Sequence, residues 1–164
     1  MLFLFLPVYI LSGRYIFLHK YSMETLEQFL SSLNSDSKAV FALGLREAHR
    51  ACALGAAILD VREEYHTAYK QFGVNDVLYM PLSVYEEYGA HLPPDRWLII
   101  ADVSGNMATD LYKKLRESGL TKICVLAGGF IAWERLGLPV NTDQHQAFSG
   151  SCVCQLKQRN LEEK

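Results

Sequence analysis

The sequence of 164 residues has few cysteines, no block of like charge and no long unbroken apolar run. Disulfide bonds between its four cysteines are not needed for stability, because a domain of this size buries about 68–70% of the surface of its unfolded chain. Lys+Arg 16 nearly balance Asp+Glu 18, so the basic footprint of a nucleic-acid-binding protein is missing. With 50% hydrophobic and 21% charged residues, the chain has the composition of one ordinary folded domain.

The most apolar segment lies at the N-terminus, and it resembles neither a membrane span nor a signal peptide. Pro7, Gly13 and Arg14 interrupt residues 1–18, whereas a spanning helix needs about 20 apolar residues. No basic residue precedes the apolar stretch, and no cleavage motif of small residues follows it. We therefore interpret residues 1–22 as a leader outside the domain, with Met23 as an alternative start. A membrane-associating anchor in residues 1–18 and a secretory signal are the alternatives to a cytoplasmic chain.

Beyond the leader, helical and strand-like patterns alternate along the chain. Apolar residues at helical spacing predict helices over residues 24–33, 45–54, 107–117 and 130–136. Short apolar runs predict strands over residues 56–61, 77–80, 97–101 and 123–127. A capping box formed by Ser83 and Glu86 predicts a further short helix. Strands separated by helices predict an α/β fold, with a parallel sheet covered by helices on both faces.

Candidate functional residues follow three of the predicted strands. Ligands of open parallel sheets bind outside the carboxyl ends of the strands. Asp60 and Arg62 follow the first strand, residues 102–106 follow the third, and Gly128 and Gly129 follow the fourth. We therefore expect these loops to lie at one edge of the sheet.

Four motifs, taken in order, resemble the rhodanese-like domain family. ILDVRE at 58–63 resembles its Asp-x-Arg signature, and LYMPL at 78–82 resembles its second strand. IIADVSGN at 99–106 is similar to its active-site strand and loop, and GGFIAW at 128–133 with GLPV at 137–140 is similar to its ending. The resemblance implies a parallel sheet of about five strands flanked by helices over residues 45–140. An accessory helix and linker are expected over residues 23–44, and a tail over residues 141–164.

The resemblance also shows which family residues this chain lacks. Family members that transfer sulfur do so through a loop cysteine that becomes a persulfide, and Asp102 occupies the matching position. Val103 and Met107 stand where the family has two loop arginines, with Ser104, Gly105 and Asn106 completing the loop. A carboxylate does not store sulfane sulfur as a thiolate does. The resemblance therefore implies a family fold without its usual nucleophile.

Asp102 has two interpretations. In the first, its carboxylate takes the place of a bound anion against the backbone N–H groups of the loop, which we call the anion nest, and caps the following helix. Such a cap stabilises a helix by about 0.5–2 kcal/mol. In the second, it is a nucleophile or a metal ligand, although no metal-ligand spacing surrounds it. Arg62 is expected to brace Asp60, with substrate binding as the alternative.

The four cysteines divide into two pairs. Cys52 on a helix face and Cys124 in a strand are expected in the core. Cys152 and Cys154 form a Cys-x-Cys pair in the tail, where they are candidate thiols for relocated sulfur chemistry. The alternative is a tail whose cysteines have no specific role.

Two classes of function remain. The first is a rhodanese-like binding or regulatory module that lacks ordinary thiosulfate sulfurtransferase activity, with an unknown protein partner. The second is a sulfur carrier or redox protein that uses Cys152 and Cys154 and takes a small sulfur species. We expect no cofactor and no metal in either case, and contact of the leader with a membrane is the less favoured alternative.

Overall fold

The computed structural model describes residues 24–33 and 39–142. The predicted leader, Cys152 and Cys154 lie outside these residues. The helices are α1 (Leu26–Leu33), α2 (Leu45–Ala53), α3 (Glu64–Thr67), α4 (Tyr85–Tyr88), α5 (Asn106–Glu117) and α6 (Gly129–Arg135). The strands are β1 (Ala42–Leu43), β2 (Ala57–Asp60), β3 (Lys70–Phe72), β4 (Val77–Tyr79), β5 (Leu98–Ala101), β6 (Ile123–Leu126) and β7 (Val140–Thr142).

A five-stranded parallel sheet forms the centre of the fold, with strand order β1-β6-β5-β2-β4. Every residue of β2, β5 and β6 is buried. Because successive strand residues point to opposite faces, this pattern requires both faces of the sheet to be covered. The predicted α/β fold with about five parallel strands flanked by helices is confirmed.

The strand order places the three strand-end loops beside one another. From β2 the chain proceeds to β4 on one side of the sheet and then returns to β5 on the other side of β2. Asp60 is in register with Ala101, and the N–H of Val61 donates to the carbonyl of Ala101 over 2.9 Å. The loops after β2 and β5 therefore meet at the switch in strand order, where ligands bind in such sheets.

Three strands lie in segments where the sequence predicted none. Strand β1, in the predicted linker, pairs with β6 as the edge of the main sheet. Strands β3 and β7 form a separate antiparallel pair, in register from Lys70 with Thr142 to Phe72 with Val140. All three have only two or three residues, too few for an apolar periodicity to reveal them.

The predicted capping box is wrong. The Ser83 hydroxyl donates to Glu63 over 2.9 Å, and the Ser83 N–H donates to the same carboxylate over 3.1 Å. The nearby helix α4 begins at Tyr85 and has no side-chain cap. Ser83 is therefore tied to the segment after β2, a distant partner that local sequence does not disclose.

Trp133 anchors α6 against the small sheet. Its side chain is fully buried, and its indole N–H donates to the carbonyl of Pro139 over 2.9 Å. The ring packs edge-on against Phe72, with 5.3 Å between the ring centroids.

Cys52 and Cys124 are buried, as predicted. Across the two described ranges, no helix combines the length and apolar character needed to cross a bilayer.

Candidate functional site

Asp102 is the centre of the loop between β5 and α5. Only 3% of the residue is exposed, and its carboxylate accepts hydrogen bonds from two backbone N–H groups, one in the loop and one in α5. Gly105 donates to Oδ1, and Met107 donates to Oδ2 over 2.9 Å. Met107 belongs to the first turn of α5, whose N–H groups have no partner within the helix. The carboxylate thus occupies the anion nest and caps the helix, which is the first of the two interpretations from the sequence.

The other loop residues have separate positions. Val103 is partly buried, whereas Ser104, Asn106 and Met107 are exposed. Gly105 has a φ of 95°, a left-handed conformation that glycine adopts without steric cost. The Thr109 hydroxyl donates to the carbonyl of Gly105 over 3.0 Å and so ties the loop to the helix that follows it.

The glycine turn after β6 holds the Asp102 loop from the other side. The N–H of Phe130 donates to the carbonyl of Asp102 over 2.9 Å, and the N–H of Ile131 donates to that of Val103 over 3.1 Å. Gly129 has a φ of 60°, and a Cβ atom there would lie 2.6 Å from both the Asp102 carbonyl oxygen and the Ser104 nitrogen. The close approach of the two loops therefore requires glycine at this position.

A buried ion pair supports the loop after β2. Arg62 donates to both carboxylate oxygens of Asp60, with its Nη2 at 2.6 Å and its Nε at 2.8 Å. Asp60 is 0% exposed and Arg62 is 4% exposed. Arg62 also donates to the carbonyl of Lys70 over 3.0 Å, and its guanidinium lies 3.8 Å from the ring centroid of Phe130. The bracing contact between Arg62 and Asp60 is present, and Arg62 further joins β2, β3 and α6.

The buried cysteines offer no thiolate at neutral pH. Burial raises the pKa of the Cys52 thiol to about 12 and also raises that of Cys124. Cys124 instead directs its sulfur at the carbonyl of Leu98, 3.7 Å away. Within the part of the chain that the structure describes, no three His, Cys, Asp or Glu side chains converge as a metal site would require. Cys52 and Cys124 therefore supply no soft nucleophile, and the described residues form no metal centre.

Sequence reasoning missed the aromatic cover over Arg62. Phe130 and Phe72 pack edge-on at 4.9 Å and both lie against the guanidinium. No motif marks these contacts, because they depend on the packing of α6 against β3. The only local signal is the Asp-x-Arg motif at the end of a strand. It indicates that the arginine lies in a buried environment.

The chain belongs to the rhodanese-like domain family. The model of the Rhodanese-like domain matches residues 45–136, and the family resemblance seen in the sequence is thereby confirmed. No curated protein matches the chain.

Solved structures show the same fold. A rhodanese-related protein from Thermoplasma volcanium is 21% identical, with a TM-score of 0.58 over 63% of this chain and 99% of that protein. The reduced CoADR-RHD from Bacillus anthracis is 22% identical, with a TM-score of 0.53 over 57% of this chain and 16% of its own length. A Rhodopseudomonas palustris protein described as a possible tyrosine phosphatase is 18% identical, with a TM-score of 0.54 over 73% of this chain and 96% of that protein.

Replacing Arg62 with methionine should reduce the free energy of unfolding by about 3–5 kcal/mol, because Asp60 is left as a buried unpaired charge. Lys70→Met, which removes the exposed pair between Lys70 and Glu134, should cost much less. Combining Arg62→Met with Asp60→Asn should recover part of the loss. Urea unfolding measures all three, and equal losses for Arg62→Met and Lys70→Met would contradict the buried pair.

Gly129→Ala and Gly137→Ala form a matched pair. Both glycines have left-handed φ values, 60° and 72°, but a Cβ at Gly137 would meet nothing within 4 Å. Gly137→Ala should cost about 1–2 kcal/mol for its conformation alone. Gly129→Ala should cost about 1–3 kcal/mol more, since its methyl group must displace the Asp102 loop. Urea unfolding separates the two, and equal losses would show that the loops are not in close contact.

Proposed function

We propose that this chain is a rhodanese-like module that binds a protein partner and does not transfer sulfur from thiosulfate. The observation that carries the proposal is the buried Asp102 carboxylate, which accepts N–H bonds from Gly105 and Met107. An anion already occupies the nest in which a sulfur-transferring relative would hold its persulfide. A fixed negative charge there also disfavours the approach of thiosulfate, a dianion.

The residues around the nest support the proposal. Val103 and Met107 take the positions of the two loop arginines, so the side chains that would attract an oxyanion are apolar. Met107 is 58% exposed and presents its thioether to the surface beside the loop. An exposed methionine at a loop is typical of adaptable binding surfaces. The loop therefore offers an apolar contact to a partner. It does not offer an anion pocket to a substrate.

The buried thiols do not replace the missing cysteine. A persulfide forms when a thiolate attacks the outer sulfur of thiosulfate and releases sulfite, and cyanide then removes that sulfur as thiocyanate. The step requires an accessible thiolate. Cys52 and Cys124 are buried, and the pKa of each is raised. Among the described residues, neither cysteine meets that requirement.

The test compares sulfur loading of the full chain with that of Asp102→Cys. After reduction and incubation with thiosulfate, the parent should gain no sulfur and should form no thiocyanate from cyanide. Asp102→Cys should gain a single sulfur atom by mass spectrometry, because the N–H groups of the nest favour a thiolate. Adding Val103→Arg and Met107→Arg should raise the rate of thiocyanate formation further.

Sulfur loading by the parent would contradict the proposal. The variant Cys152→Ser/Cys154→Ser then locates the thiol, since loss of loading in that variant would assign the chemistry to the tail. Loading that persists in the tail variant would assign it to Cys52 or Cys124.

A further inference from the structure

A surface groove of about 490 Å³ lies next to the Asp102 loop. Ser104 of that loop, Gly128 and Leu45 at the start of α2 line part of it. Helix α6 supplies Ile131, Ala132 and Arg135. The groove thus joins two helices to the loop that holds Asp102.

The wall of the groove is apolar, although it is open to solvent. Ile131 is 41% exposed and Leu136, which follows α6, is 43% exposed. They are two of the eight large apolar residues that the described part of the chain exposes. Adjacent exposed apolar side chains of this kind typically mark a site of interaction with another molecule.

The charged residue that lines the groove is Arg135. Within the described residues, every lysine and arginine except Arg46, Arg116 and Arg135 forms an ion pair. Arg116 donates to the carbonyls of Leu120 and Thr121 instead. The two cations left over are Arg135, in the groove, and Arg46, which follows Leu45 in α2.

The acidic residue beside Arg135 has another partner, since Glu134 pairs with Lys70. Glu47, beside Arg46, lies against Gly44 and forms no ion pair among the described residues. The groove therefore combines an apolar wall with an arginine, Arg135, that forms no ion pair with any of the described residues. A complementary partner needs large apolar side chains together with a carboxylate, since opposite charges across an interface provide specificity.

We propose that this groove docks a short segment of a partner protein that carries apolar side chains and at least one acidic residue. The apolar side chains contact Ile131 and Leu136, and the carboxylate pairs with Arg135. This inference rests on the proposed function as a binding module and names the surface and the partner chemistry.

The test selects binders to the full chain from a displayed library of random twelve-residue peptides. Enriched peptides should contain Asp or Glu among large apolar residues, and labelled copies should bind in a fluorescence anisotropy titration. Arg135→Glu and Leu136→Asp should each weaken binding by about tenfold or more. Lys113→Glu, which reverses an exposed charge on α5, is the matched control and should leave affinity unchanged. Added salt should weaken binding, because the pair with Arg135 is exposed.

Enrichment of basic peptides, no enrichment, or affinity that is insensitive to Arg135→Glu would overturn the proposal. Self-association of the chain that Leu136→Asp abolishes would also overturn it, because the occupant would then be a second copy. The sulfur-loading assay on the same preparation distinguishes the two failures. Peptide binding with sulfur loading contradicts only the absence of sulfur transfer, whereas neither peptide binding nor loading contradicts only the docking site.

Discussion

The hydrogen bonds from Gly105 and Met107 to the Asp102 carboxylate hold the loop on which the proposed function depends. They use N–H groups that the start of α5 leaves without partners, and they place a negative charge at the positive end of the helix. The same contacts take up the groups that would otherwise hold an external anion. Under the proposed function, Asp102 therefore both supports the loop and stands in place of the thiol that sulfur transfer requires.

Two further constraints keep this loop in position. After the glycine turn that follows β6, the N–H groups of Phe130 and Ile131 in α6 donate to the carbonyls of Asp102 and Val103. On the other side, Arg62 neutralises the buried Asp60 and lies against Phe130. It thereby joins α6 to the loop that follows β2. The loop is thus hydrogen-bonded to α6, which Arg62 joins in turn to the segment after β2. A loop held in this way suits recognition, since less ordering cost is added when a partner binds.

The sequence predicted the central sheet well because β2, β5 and β6 are short runs of buried apolar residues with glycine or charge at their ends. One of the two interpretations of Asp102, the helix cap, agrees with the hydrogen bonds from Gly105 and Met107, and the expected brace of Arg62 on Asp60 is present. Both are local contacts between residues close in the chain. It did not predict β1, β3 and β7, whose two- or three-residue strands exist only through pairing with distant segments. The groove was missed for the same reason, because Leu45 and Ile131 are brought together only by the fold.

The most direct test of the central claim is a titration with thiosulfate, in which the backbone amide signals of Gly105 and Met107 are followed by NMR. In the parent, the signals of both amides should stay unchanged, with the amide of Gly119 at the end of α5 as the internal reference. In Asp102→Ala, both signals should shift and saturate, because the freed N–H groups can bind the anion. Saturable shifts of Gly105 and Met107 in the parent would show that the nest is open, and they would contradict the claim that Asp102 fills it.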